Sequence, residues 1–438
     1  MNQPNIVIVL CDTLRRDVLD VYGGSVSTEP LAEALGGNLV SYLGYSNSFW
    51  TIPSHFSLFT GLPVGKHGVH EAPGMNTIEV VMELGRRYKG SMLAWELRRR
   101  GYETIGISAN PLVSHLSGLD NGFKHFVPHD PTYRPLPGLD LNEWLELRET
   151  GKIYNQDKVR AFVGEAHRKG LLHALRLVDA YIRMSTVRLL TLDYITDKGA
   201  AVAISILRSF QLTEPFFIFV NLMEAHEPYY INDPNPILLA LKSAGKGNHK
   251  VGSTIKRLRK GYLRSAKVCV RAVAEIAKAL REKKVLQRTI FVFTSDHGQE
   301  LMEHGALGHD SGHLYEEDVG IPIIVKPPEG LELSASNCYV GLHELYGLAV
   351  VAASGERRWS PSCGPGLAES YDGVDSDPEA GRGARRVAVF KGDRKAAYRL
   401  EGDAPVIEEV AVAGRPLDLR SAEVRRIAGE LGQHAFAR

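Results

Sequence analysis

Asn5–Leu10 (NIVIVL), followed at once by Cys11-Asp12-Thr13, is the stretch from which the fold is read. Four β-branched residues in a row, Ile6 to Val9, disfavour a helix, and the apolarity is continuous rather than alternating. That pattern predicts a strand covered on both faces, as in a parallel sheet between helices. Working outward, the same character returns at Glu103–Ile107 (ETIGI), Pro215–Val220 (PFFIFV), Arg288–Phe293 (RTIFVF) and Gly320–Val325 (GIPIIV). Helix-period stretches lie between them at Met92–Arg100, Lys198–Phe210 and Lys256–Lys283. The alternation predicts a doubly wound α/β architecture.

The residues just beyond each strand carry the chemistry. After the first comes Cys11-Asp12-Thr13, and after the second Ser108-Ala109-Asn110. The third leads into Asn221–His226, and the fourth into Thr294-Ser295-Asp296-His297-Gly298. Polar residues thus collect where open α/β sheets place their sites, at the carboxyl ends of parallel strands. Residues 359–386, dense in Gly, Pro, Ser and Asp, read as a long loop. Beyond it RVAVFK, KAAYRL and VIEEVAVA precede a helix over Ser421–Leu431, a small antiparallel sheet with one helix. The expected division is a catalytic α/β domain over 1–358, a loop over 359–386 and a C-terminal α+β subdomain over 387–438.

In a chain of 438 residues, 52 bases against 51 acids give a net charge of +1, which speaks against a nucleic-acid binder. With 44% hydrophobic and 24% charged residues, a disordered or collagen-like chain is excluded. Cys11, Cys269, Cys338 and Cys363 stand at wide spacings, without a CxxC pair. They are expected to be free thiols in a reducing, cytoplasmic compartment. The first residues carry no basic leader, and the apolar run there is too short to span a bilayer.

Asp12 with Asp296 and His297 makes a candidate cation site, hard oxygens plus one nitrogen. One divalent cation is expected, Mn or Zn favoured by the imidazole, with Ca or Mg as the alternative. Thr51 lies in Trp50-Thr51-Ile52-Pro53-Ser54-His55, where Pro53 and Gly61 bracket a short helix. That places its hydroxyl where unpaired N–H groups and the helix dipole favour an oxyanion, although a plain capping threonine fits as well.

In order along residues 4–327, NIVIVLCDTLRRDVLDVYGG, FWTIPSHFSLFTGLPVGKHGVH, FFIFVNLMEAHEPY and FVFTSDHGQELMEHGALGHDSGHLYEEDVGIPIIV resemble the sulfatase family of the alkaline-phosphatase superfamily. The resemblance implies a mostly parallel central sheet between helices and a small C-terminal antiparallel sheet plus helix. It also implies Asp12, Asp296, His297 and Thr51 as metal ligands and Thr51 as the nucleophile. By the same resemblance His226, in MEAHEP, matches the histidine by the leaving group. His309 falls near the lysine that contacts the transferred group, with His313 as a competitor for that place. His55 stands where the family has arginine, and Asn110 lies in the segment replacing its lysine and histidine; both are taken as substrate contacts.

The departures bear on the reaction. Thr13 replaces a second family aspartate, and Thr51 replaces the cysteine or serine that becomes formylglycine. A threonine sulfate cannot collapse to an aldehyde, whereas a threonine phosphate can be attacked by water. The expected activity is therefore hydrolysis of a phosphoric mono- or diester or a phosphonate. A sulfuric ester is the alternative, and a head-group transferase or non-catalytic anion binder the reading from another class. The expected partner is a small anionic ester, a lipid head group or sugar ester among the candidates, with no nucleic acid. Basic segments 153–188 and 242–267 could form a positive rim, but a solvated helix face explains such runs more simply.

Overall fold

The computed structural model describes residues 3–70, 78–115, 117–128, 198–227, 229, 250–309, 312–371, 385–401 and 404–436. The stretch that opens the sequence forms β1 (Asn5–Cys11), buried along its whole length. It lies inside an eight-stranded sheet with β2 (Val40–Tyr45), β3 (Glu103–Ser108), β4 (His125–Pro128), β5 (Phe216–Leu222), β6 (Thr289–Thr294), β9 (Gly320–Lys326) and β11 (Tyr339–Gly341). The order is β11-β2-β9-β6-β1-β5-β3-β4. Of the eight, β9 runs antiparallel to both its neighbours, and every other pairing is parallel. Between β6 and β9 come a hairpin, β7 (Glu300–Leu301) with β8 (Leu307–Gly308), and one short helix, Glu316–Val319. No helix there is long enough to carry the chain back for a parallel return.

The strand pleat sorts side chains onto two helical layers. Ile6, Ile8 and Leu10 pack with α2 (Thr51–Thr60), α3 (Leu93–Arg99) and α6 (Glu344–Ala353). Val7, Val9 and Cys11 pack with α1 (Glu29–Leu35), α4 (Ala200–Ser209) and α5 (Lys250–Glu282). On α5 the buried residues Leu258, Tyr262, Ala266, Cys269, Val273, Ile276 and Leu280 recur at helical spacing. Lys256, Arg257, Lys260 and Lys267 face outward, so this part of the basic run lies on the solvated side of a helix. Segment 153–188 and residues 242–249 lie outside the described residues.

One expectation is corrected by the structure. The four cysteines are not free thiols: Cys11 is bonded to Cys269 on α5, and Cys338 to Cys363. Partners 258 and 25 residues apart leave no trace in sequence spacing, so the compartment inferred from free thiols loses its basis. Among the described residues no helix is long and apolar enough to cross a membrane.

The C-terminal sheet runs in chain order through β13 (Gly366–Ser370), β14 (Arg386–Lys391), β15 (Arg394–Glu401), β16 (Ala404–Val412) and β17 (Arg415–Pro416), backed by α7 (Ala422–Phe436). The segment expected to be loop thus contributes β13, an edge strand; a short parallel pair, β10 (Glu332–Leu333) with β12 (Arg358–Trp359), lies just before it. Val387, Val389, Ala396, Tyr398 and Val410 form a core with α7. Ala388, Phe390 and Ala397, on the opposite face, join the core of the large sheet, where Phe390 stacks on Tyr45 at 3.9 Å.

Candidate active site

Register in the large sheet assembles the site. Leu10 of β1 lies opposite Thr294 of β6, so the segments beyond these two strands leave the sheet side by side. On the other flank Cys11 pairs with Leu222 of β5, and Asn221 with Ser108 of β3. Asp12, Asp296-His297, Glu224–Glu227 and Asn110 therefore emerge at one end of four adjacent strands.

Thr51 enters from above as the first residue of α2, after an extended Trp50. It is 3% exposed, and its Oγ1 stands 3.4 Å from His297 Nε2. First-turn N–H groups have no partner within their own helix, and Pro53 contributes none, so this end favours negative charge. Gly61 closes α2 in the left-handed region (φ +70°).

Around Thr51 the donors and acceptors do not balance. Asp12 Oδ2 accepts from Asn110 Nδ2 (2.7 Å), and Asp296 Oδ1 from the backbone N–H of Thr13 (3.3 Å) and His297 (2.9 Å). Asp12 Oδ1 and Asp296 Oδ2 have no hydrogen-bond partner, although both side chains are fully buried. His297 Nε2 lies 3.8 Å from the first and 3.5 Å from the second. Its Nδ1 faces the Gly298 carbonyl at 2.8 Å and must donate there. Burial holds the His297 pKa down to about 4, so at neutral pH Nε2 presents a lone pair. A lone pair aimed at two carboxylate oxygens is repulsive unless a cation stands between them. Burial, reinforced by Asp296, also pushes the Asp12 carboxyl well above the usual range. Asp12, Asp296 and His297 each offer one ligand atom within 4.8 Å of the others, a donor set that fits a divalent cation.

The remaining expected residues divide. His226 and His309 come together, their rings 5.4 Å apart, and His309 also lies 4.6 Å from the His297 ring. His55 sits beneath the site, fully buried. Its Nδ1 donates to Thr51 O (2.8 Å), and its Nε2 accepts from Asn221 Nδ2 (3.1 Å). Burial lowers its pKa, so it is a neutral brace for α2 rather than a substitute for an arginine cation. Asn110 is likewise engaged: Nδ2 holds Asp12, and Oδ1 accepts Leu112 N–H at 2.8 Å. Both were expected to contact substrate; in the structure both are hydrogen-bonded to other site residues. His313 Nδ1 meets Glu300 at 2.6 Å, and His313 belongs to neither histidine grouping.

Two residues went unread in the sequence. Glu227 places a carboxylate oxygen 3.5 Å from His226 Nδ1, and the pair HE at a strand end was the signal for it. Lys198, 2% exposed, bonds the His226 carbonyl, and burial lowers its pKa to about 8 against the pull of Glu224, Glu227 and Asp12. Nothing local in sequence marks it, since it precedes a helix far from the motifs. Glu224 accepts from the Lys198 and Ala200 backbone N–H groups (3.2 and 2.9 Å) and so caps α4.

The family profile described as Sulfatase matches residues 4–346, more than half of the chain. The chain belongs to the sulfatase family. A Caenorhabditis elegans protein named as a homologue of the extracellular sulfatase Sulf-1 is 23% identical over 348 residues, covering 75% of this chain and 43% of its own length. This chain thus spans less than half of that relative. A Bacteroides thetaiotaomicron structure described as a sulfatase superposes with a TM-score of 0.60 at 17% identity, covering 99% and 91% of the two chains. A phosphonate monoester hydrolase from Silicibacter pomeroyi does so at 0.58 and 13%, covering 100% and 95%. These structures share its sulfatase fold.

Proposed function

We propose that this sulfatase-family chain hydrolyses phosphoric mono- or diesters or phosphonates through a covalent intermediate on Thr51. The observation that carries the reading is the Thr51 hydroxyl itself. It sits at the start of α2, 3.4 Å from His297 Nε2 and beside the uncompensated oxygens of Asp12 and Asp296. Asp12, Asp296, His297 and Thr51 would hold a divalent cation, which when bound acidifies a ligating hydroxyl and draws charge from the transferred group.

Thr51 Oγ1, its proton lost to solvent and recovered from solvent when the intermediate is hydrolysed, forms a bond to phosphorus as the ester oxygen leaves in line, and the N–H groups of the first turn of α2 bind equatorial oxygens. His226 or His309 gives the departing alkoxide its proton and takes one from the water of the second step. That water forms the new P–O bond, and Thr51 regains its hydroxyl. The net reaction consumes one water per ester. His55 and Asn110 fix Thr51 and Asp12 in place without touching the ester.

A sulfuric ester is the second reading, favoured by the relatives named as sulfatases. Threonine has no aldehyde hydrate through which a sulfated intermediate could collapse, which favours phosphorus. The test compares an aryl phosphate, a phosphodiester, a phosphonate and an aryl sulfate with protein loaded with Mn or Zn. Thr51→Ala is expected to lower turnover by about 10³-fold or more with its melting curve unchanged. Turnover of the sulfate alone would defeat the phosphorus reading, and full activity in Thr51→Ala would remove the nucleophile.

A further inference from the structure

We infer that Lys198 is the positioning residue for the leaving-group acid, holding His226 so that one ring nitrogen stands ready to protonate the departing oxygen. For its chemistry this role rests on the hydrolase reading; for its geometry it rests on the start of α4. Three contacts tie that start to the loop beyond β5. Glu224 accepts from the backbone N–H groups of Lys198 (3.2 Å) and Ala200 (2.9 Å), and the Lys198 side chain donates to the His226 carbonyl. The His226 N–H is taken in turn by the Met223 carbonyl at 3.1 Å. Both backbone polar groups of His226 are thus fixed.

The ring is fixed as well. Its Nδ1 lies 2.9 Å from the Glu227 carbonyl, which can only accept, so Nδ1 carries a hydrogen and Nε2 is left to exchange a proton. Lys198 grips the peptide group that links His226 to Glu227. Withdrawing it therefore frees the ring and the carbonyl that orients the ring together.

A lysine is an expensive donor here, since it is 2% exposed and a neutral group could bond a carbonyl. Glu224, Glu227 and Asp12 attract its charge and oppose the effect of burial. Simple neutralisation of those acids is accordingly the rival explanation, and the two differ in consequence. Protonation by a general acid matters for a poor leaving group and little for an activated one, so a misplaced His226 harms alkyl esters selectively. Lost neutralisation changes the field at the transferred group and harms both kinds of ester alike.

The experiment compares an alkyl with a 4-nitrophenyl phosphodiester, using full-length protein loaded with Mn or Zn. Lys198→Met should lower kcat for the alkyl ester by about 10–100-fold, the effect of displacing a catalytic group by about 1 Å. The 4-nitrophenyl ester should lose less than about threefold. Lys198→Gln, one bond shorter but polar among the carboxylates, should show the same selectivity and serves if the methionine variant does not fold. Lys198→Arg, which keeps the charge and the donors, should recover most of the alkyl rate. With His226→Gln already in place, Lys198→Met should have no further effect on the alkyl ester, since both act through one proton. Equal losses for the two esters, or an undiminished loss in the His226→Gln background, would overturn the role. If the wild type turns over only sulfates, the phosphorus reading falls and an alkyl and an aryl sulfate decide the role by the same comparison. If it turns over neither, the hydrolase reading falls, and NMR of 13C-labelled histidines decides the positioning. The His226 resonance, assigned through His226→Gln, must then shift in Lys198→Met, and a resonance that stays in place would overturn the inference.

Discussion

Asp12 carries the least favourable electrostatic position in the site, a fully buried carboxyl with Asp296 beside it. Its proton is held more tightly than an ordinary carboxyl's, and an entering cation must displace it. Affinity for Mn2+ is therefore expected to fall as pH is lowered from 7.5 to 5, by up to about tenfold per pH unit where one proton is exchanged per ion. His297, held near 4, stays neutral throughout that range and is not the cause. Asn110→Ala removes the donor that stabilises the Asp12 anion, so its decline should begin at higher pH. Calorimetric titration at several pH values checks both, and a flat affinity from 7.5 to 5 would contradict them. Residues of this kind were legible in sequence because Asp12, Asp296-His297 and Thr51 each belong to a local string. Lys198 was not, because only the packing of α4 against the end of β5 brings it to His226.

At the scale of elements, α2 shows how far local signals reach. Pro53 and Gly61 gave both of its ends, and the helix runs from Thr51 to Thr60 as those residues require. The same signals could not reveal β2, whose VSYLGY has partly exposed positions, or the direction of β9, which depends on the connection before it. Gly61 is a strict requirement in two ways. Its φ of +70° disfavours any side chain, and a Cβ there would lie 2.9 Å from the Tyr346 ring on α6. Gly61→Ala should cost about 1–3 kcal/mol in a urea melt, with turnover reduced by disorder at the base of α2. A variant as stable as wild type would show that α6 can move aside freely.

For the whole molecule the question is whether the C-terminal sheet is a separable unit. Sequence patterning located its strands and helix, because β14 to β16 and α7 follow local periodicity. It could not show their attachment, which depends on side chains far apart in the chain. A buried ionic network crosses the junction. Lys395 on β15 lies 2.5 Å from Glu409 on β16 and 3.4 Å from Glu316 in the short helix leading into β9. Glu316 also pairs with Arg16 and accepts from Tyr339 at 2.8 Å, while Arg16 donates to Gly44 of β2 at 2.7 Å. Lys395 is fully buried, and the two carboxylates raise its pKa despite burial. Lys395→Met would keep the bulk and leave Glu409 without its cation, a loss of about 3–5 kcal/mol for a broken buried pair. Pairing Lys395→Met with Glu409→Gln should recover a large part of that loss, since the orphaned charge goes with it. Because Ala388, Phe390 and Ala397 share the core of the large sheet, both sheets are expected to unfold in one transition that the single variant shifts as a whole. Two separate transitions in wild type, with the variant moving one of them, would instead make the C-terminal sheet an independent folding unit.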